Sequence, residues 1–214
     1  MKVLTIANRK GGAGKSTCAA HLAVEAAKSG LKIIIIDMDP QKTLDTWWQN
    51  RLEEDIDLVE VTSNEIEEKV SILSRKGFDL CIIDTPGDTS ENATSGIRAA
   101  DLVLIPSKPT APDLSAIGRT INIVESLNKP FVFVITQALT NSKSTFQASS
   151  ALSSFGAVAP SSISNRISYQ RAMGQGGSAR DSDKFAQEEI FSVWDFVKVR
   201  LFDKPKNNKK KLVA

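Results

Sequence analysis

The residues with the clearest chemistry are Lys10-Gly11-Gly12-Ala13-Gly14-Lys15-Ser16-Thr17. Glycines let a backbone wrap closely around an anion with its N–H groups turned inward. Phosphate binding also needs a helix that opens at the lysine, because its free N–H groups and its dipole favour negative charge there. The apolar stretch 2–7 reads as a strand and residues 15–29 as a helix, so the loop has that placement. In such a loop Lys15 reaches the outer oxygens of a nucleoside triphosphate and Ser16 can ligate Mg²⁺. A glycine-rich turn that merely precedes a lysine is the alternative. At average glycine usage such a run occurs by chance in about one chain in a thousand, and fewer once the flanking elements are required.

Two further strands end in acids. Ile33–Ile36 runs into Asp37-Met38-Asp39-Pro40-Gln41, and Leu80–Ile83 runs into Asp84-Thr85-Pro86-Gly87. Ligands of open α/β sheets bind at the carboxyl ends of the strands. Asp37, Asp39 and Asp84 are therefore candidates for the same site as the phosphate loop. Each could instead cap a helix or a turn.

Short apolar runs alternate with amphipathic stretches along the whole chain. That pattern predicts an α/β fold: a doubly wound, mostly parallel sheet with helices on both faces. Strands are expected at 2–7, 32–37, 56–61, 79–84, 102–106 and 131–136, with a weaker one at 157–159. Helices are expected at 15–29, 43–51, 65–75, 92–99, 113–126, 145–155 and 184–202. Four strands are continuously apolar, as when both faces are buried. Neither an internal repeat nor a linker interrupts the pattern, so residues 1–203 read as one domain and 204–214 as a basic, disordered tail. The N-terminal apolar run is too short for a signal peptide, and no segment has the 18 or so apolar residues needed to span a bilayer, which predicts a cytoplasmic protein. Cys18 and Cys81 form no CxxC pair and are expected to be reduced and buried, which argues against a disulfide framework or a cysteine-held cluster. His21 is expected to be structural, and at least one of Trp47 and Trp48 to pack inward. In the last helix Ile190, Val193, Trp194, Val197 and Leu201 recur at helical spacing as a core-facing stripe.

The loop departs from the common GxxxxGK[S/T] pattern in one respect, since Arg9 stands where the first glycine would be. The run KGGxGK[S/T] resembles the deviant Walker A loop of the ParA/MinD family, whose additional lysine is Lys10 here. The resemblance implies a P-loop ATPase with ATP and Mg²⁺ as cofactors. It implies that Gly11, Gly12, Ala13, Gly14, Lys15, Ser16 and Thr17 bind the nucleotide, with Gln137 near the base. It further implies that Lys10 crosses to a partner's nucleotide in an ATP-dependent homodimer and acts with Lys15 on the transferring phosphoryl group. Asp84 resembles the family's Walker B acid, holding Mg²⁺ through a water. The DxDPQ segment makes Asp37 a support of the magnesium shell and Asp39 the residue that orients the attacking water. Ile105–Pro109 with Asp113-Leu114, and Ile163-Ser164-Asn165-Arg166 with Tyr169–Gly176, carry the likeness towards the C-terminus.

Because the sequence opens at the first strand, it most resembles short plasmid-type ParA proteins. These imply non-specific DNA binding, nucleoid association, and a small DNA-binding partition partner of the ParB/ParG kind that stimulates hydrolysis. Arg166, Arg171, Lys198 and Arg200, with Arg180 and the Lys204–Lys211 cluster, supply a basic surface for DNA phosphates. A MinD-like membrane-surface ATPase is the alternative, through residues 196–202, as is a positioning ATPase for another cargo. The inward-facing stripe makes membrane binding the poorer fit. A metabolic relative with a cysteine-held cluster fits least.

Overall fold

The computed structural model describes residues 1–88, 90–139 and 142–203; the basic tail expected at 204–214 lies outside them. In chain order the first half comprises β1 (Lys2–Ile6), α1 (Lys15–Lys28), β2 (Ile33–Asp37), α2 (Thr43–Gln49), β3 (Ile56–Leu58), α3 (Ile66–Arg75) and β4 (Leu80–Asp84). The second comprises α4 (Glu91–Ala99), β5 (Leu102–Ser107), α5 (Ala111–Ser126), β6 (Phe131–Ala138), α6 (Lys143–Ser153), β7 (Ile163–Ser164), α7 (Ile167–Gln175) and α8 (Lys184–Phe202). The strands form one parallel sheet in the order β3-β2-β4-β1-β5-β6-β7.

The continuous apolar runs follow from this topology. Side chains of a strand alternate between faces, and here both faces are covered. Ile33 and Ile35 enter the core under α1, α2, α7 and α8, whereas Ile34 and Ile36 enter the one under α3. Leu102 and Leu104 face the first core, while Val103 and Ile105 meet α4, α5 and α6. Trp47 is fully buried and Trp48 packs at the margin. The stripe on α8 is buried throughout, so this helix faces inward, as expected. No helix among the described residues is long and apolar enough to cross a membrane. Both cysteines are free and buried, and burial pushes their thiols up. His21 is a core residue: its Nδ1 lies 2.9 Å from the Thr17 carbonyl, and burial holds its pKa down at about 4, so it is neutral.

Three elements differ from the sequence expectation. The seventh strand is Ile163–Ser164 rather than 157–159. Phe133 bonds to Ala157 and Ala159 on either side of a single bridge at Val158, but Pro160 has no N–H with which to continue. β3 ends at Leu58, earlier than the apolar pattern suggested. Helix α7 was not anticipated; it is short, and only Tyr169 and Ala172 are buried.

Candidate functional site

The loop after β1 is built by its neighbours as much as by its glycines. Asn8, buried at the strand end, donates to the Pro106 carbonyl of β5 (2.6 Å) and accepts from the Lys10 N–H (2.9 Å). Gly12 and Gly14 take positive φ (70° and 88°), which other residues adopt only under strain. From β6, the Thr136 hydroxyl donates to the Ala13 carbonyl (2.7 Å) and the Gln137 amide to the Gly12 carbonyl (2.9 Å). These bonds satisfy the Gly12 and Ala13 carbonyls and tie the loop to β6. α1 then starts at Lys15 with no side-chain cap, so its first N–H groups are available to an anion.

Two other loops close on this one. At Gly87, after β4, an added Cβ would lie 3.2 Å from both the Gly11 backbone and the Lys15 ammonium. Lys108, after β5, reaches over the loop: a Cβ on Gly12 would lie 3.6 Å from its Nζ. An open cleft of about 560 Å³ is lined by Gly11, Gly12, Gly14, Lys15, Ser16 and Thr17 on one side and by Asp39, Gln41 and Gly87 on the other. A smaller cleft of about 170 Å³ adjoins it, between Gly14, Thr17 and Cys18 and the residues Thr136, Gln137, Asn165, Arg166, Tyr169 and Gln170. The structure thus brings together Lys15, Ser16, Asp39, Asp84 and Gln137, as the sequence led us to expect. Asn8, Thr136 and Lys108 were not singled out individually. Only Asn8, at a strand end beside the loop, carried a local signal.

The three acids have different surroundings. Asp37 accepts from the Asp39 N–H (2.9 Å) and the Asp45 N–H (3.0 Å), so both its oxygens are committed to holding the following loop. Asp39 is half-buried, and its Oδ1 accepts from the Gln41 N–H (2.9 Å). Asp84 is fully buried, with neither oxygen accepting a hydrogen bond of normal geometry. A buried carboxylate without partners is costly unless a cation completes it. With Ser16 beside it at the start of α1, this is the donor set of a hard cation that takes most of its ligands from phosphate and water. Among the described residues no cluster of three or more acids, histidines or cysteines could hold a metal alone.

Burial raises the Asp84 pKa to about 7, opposed by Ser16 and Lys15 and reinforced by Asp37. Raised above its unfolded value, this group favours the fold at low pH, and the benefit is lost as pH climbs from about 4 through about 7. In magnesium-free, nucleotide-free buffer, Asp84→Asn is therefore expected to raise Tm by about 10 °C at pH 8 and by less than half as much at pH 5. Scanning calorimetry at the two values tests this; equal shifts at both would rule out the ionised carboxylate as the cause.

The basic residues divide into two groups. Arg166 is held by Glu189 (2.8 Å) and lies 3.8 Å from Asp183, over the ring of Phe185. Arg180 is locked onto Glu25 of α1 through two bonds of 2.8 Å. Arg171, Lys198 and Arg200 are exposed, the last stacked 3.6 Å above Phe196.

A parallel sheet with a phosphate loop at its centre and acids at the adjacent strand ends defines a P-loop nucleotide-binding protein. Residues 4–176 match the CobQ/CobB/MinD/ParA nucleotide binding domain, and the chain belongs to that family. It is 36% identical over 127 residues to the protein ParA of Rhizobium radiobacter, covering 58% of this chain and 56% of that protein. It is 31% identical over 124 residues to the maintenance of carboxysome distribution protein A of Gloeobacter kilaueensis, covering 56% of each. The chain thus spans little more than half the length of these curated relatives. Among solved structures, apo McdA of Cyanothece superposes over 92% of this chain and 99% of its own, with a TM-score of 0.77 at 23% identity. A putative plasmid partition protein of Borrelia burgdorferi bound to AMPPNP superposes over 92% and 98%, with a TM-score of 0.76 at 20% identity.

Proposed function

We propose that the protein is a Mg²⁺-dependent ATPase of the ParA type. In this reading it dimerises on binding ATP, holds DNA without sequence preference, and drives plasmid or chromosome partition with a small ParB/ParG-like partner that stimulates hydrolysis. The observation that carries the reading is the cleft in which the phosphate loop faces Asp39, with Asp84 buried beside Ser16.

The N–H groups of Gly11–Thr17 cradle the β- and γ-phosphates, and Lys15 neutralises the charge between them. Gln137, Asn165 and Tyr169 flank the base in the smaller cleft. Magnesium held by Ser16, and by Asp84 through a water, would supply further neutralisation of the phosphate oxygens. Asp39 orients the attacking water in line with the γ-phosphorus. Lys10 of a second copy adds positive charge where the transition state gathers negative charge, the task of an arginine finger. Arg171, Lys198 and Arg200 offer free charge to DNA phosphates. Arg166, already paired, contributes mainly by holding β7 to α8; reversing it to Glu would set it against Glu189 and Asp183, which makes it a poor probe of DNA contact.

On this reading, light scattering gives a dimer with ATP for the wild type and a monomer for Lys10→Ala. Filter binding to random duplexes should require ATP and fall with salt, each phosphate contributing about −0.9 to the slope of log K against log salt. Arg171→Glu should lower the affinity and the slope while leaving ATP binding intact. A dimer of Lys10→Ala, or firm binding to anionic liposomes with none to DNA, would refute the proposal. A cargo-positioning role shares this chemistry, and the 31% identity to a carboxysome-distribution protein supports it as the second reading. It predicts the same ATP-dependent dimer with a different partner.

A further inference from the structure

Helix α2 is two turns long and carries the Asp39 loop at its front. That loop hangs on Asp37, and its turn is closed by the Lys42 N–H to the Asp39 carbonyl (2.9 Å) with Lys42 in a left-handed conformation (φ 51°). The loop is therefore held at one end by β2, through Asp37, and at the other by α2. The far end of α2 rests on the C-terminus of α7, whose last carbonyls have no partners within their own helix. Three side chains from α2 and the residues after it take them up. The Trp47 indole N–H donates to the Gly177 carbonyl (2.9 Å), Arg51 Nη1 to the Gly176 carbonyl (2.9 Å), and Asn50 Nδ2 to the Gly174 carbonyl (3.4 Å).

The fit is backbone against backbone. Gly176 takes φ 69°, and a Cβ there would fall 2.3 Å from the Arg51 nitrogen and the Asn50 carbon. Trp47 is fully buried, and the Arg51 side chain is 4% exposed, paired with Asp55 at 2.8 Å and lying over the Trp47 ring. The other end of α7 carries Tyr169 and Gln170 into the smaller cleft. One nucleotide would thus meet α7 at its base and the α2 loop at its γ-phosphate, and the two helices are joined to each other behind it.

We propose that Trp47 and Arg51 are positioning residues for hydrolysis: by fastening α2 to α7 they fix the Asp39 carboxylate relative to a nucleotide whose base lies against α7. This rests on the ATPase reading above. A displacement on the order of 1 Å at a reacting group can cost up to about a hundredfold in rate, so a partly loosened clamp should cost about tenfold.

The test uses Arg51→Gln and Trp47→Phe, the latter keeping most of the ring volume without the N–H donor. Steady-state kinetics should give kcat lowered about tenfold, with the Kd for ATP changed less than twofold and Arg51→Lys recovering most of the turnover. Amide hydrogen exchange across residues 38–45, with a non-hydrolysable ATP analogue bound, should speed up in both variants while exchange in the β1 and β4 strands stays as in the wild type. Unchanged kcat together with unchanged exchange at 38–45 would overturn the proposal, as would a loss of ATP affinity that matches the loss of kcat. A wild type that turns over no ATP would sink the ATPase reading alone, since the exchange measurement still decides whether the clamp holds the loop. Should Trp47→Phe fail to fold, Arg51→Gln carries the same comparison.

Discussion

Replacing Lys15 with alanine is expected to weaken ATP binding by at least about a hundredfold, roughly 3 kcal/mol. Lys15 is 6% exposed, in the first turn of α1, with Gly87 close against its ammonium and the cleft in front. A charge held there meets phosphate oxygens in an environment poorer in water than bulk, so the contact is worth more than an exposed ion pair. Nothing else in the loop can replace it. Lys10 and Arg9 are side-chain cations of the same loop, but neither lines the cleft. The variant should keep its fold, because alanine is a good helix former and removes a buried charge rather than an apolar anchor. Isothermal titration with ATP and Mg²⁺, beside a thermal melt of the free protein, tests both halves. A Kd within threefold of wild type would remove Lys15 from the phosphate site.

The second large effect concerns rate rather than affinity. Asp39→Ala is expected to bind ATP normally and to hydrolyse it about 30- to 1000-fold more slowly, the 2–4 kcal/mol that positioning of the attacking water plausibly supplies. The structure adds a complication that a second variant resolves. Asp39 Oδ1 also accepts the Gln41 N–H, so alanine both removes the carboxylate and frees the turn. Asparagine keeps an acceptor for Gln41 while removing the charge. If the carboxylate acts on water, Asp39→Asn and Asp39→Ala should be similarly slow; if the turn is what matters, asparagine should restore most of the rate. Single-turnover hydrolysis of radiolabelled ATP separates these outcomes from product release, and turnover like that of the wild type in both variants would take Asp39 out of the mechanism.

Much of the site was legible because its signals are local. A phosphate loop must join a strand to a helix within a few residues, so residue types at fixed spacing carry the geometry with them. Asp39 and Asp84 were readable for the same reason: each lies at or just past the end of an apolar run that reads as a buried strand. The helix stripe ending in Leu201, and an inward tryptophan at 47 or 48, were legible as periodicity and bulk.

The sequence by itself thus determined the fold class, the order of the first six strands and the helices between them, and the residues that gather at the centre of the sheet. Tertiary structure alone decided what each of those residues is free to do. Asp37 and Asp84 look alike as acids at strand ends, yet one has both oxygens bound by backbone N–H groups of the next loop and the other has none. Arg166 and Arg171 look alike as basic residues near one another, yet Arg166 is paired with Glu189, 23 positions away in α8, and Arg171 is exposed. Helix α7 is held in place by Trp47 across 130 residues of chain. Hydrogen bonds and ion pairs of this kind depend on which elements the chain brings side by side, and a partner that distant leaves no mark in the spacing of neighbouring residues.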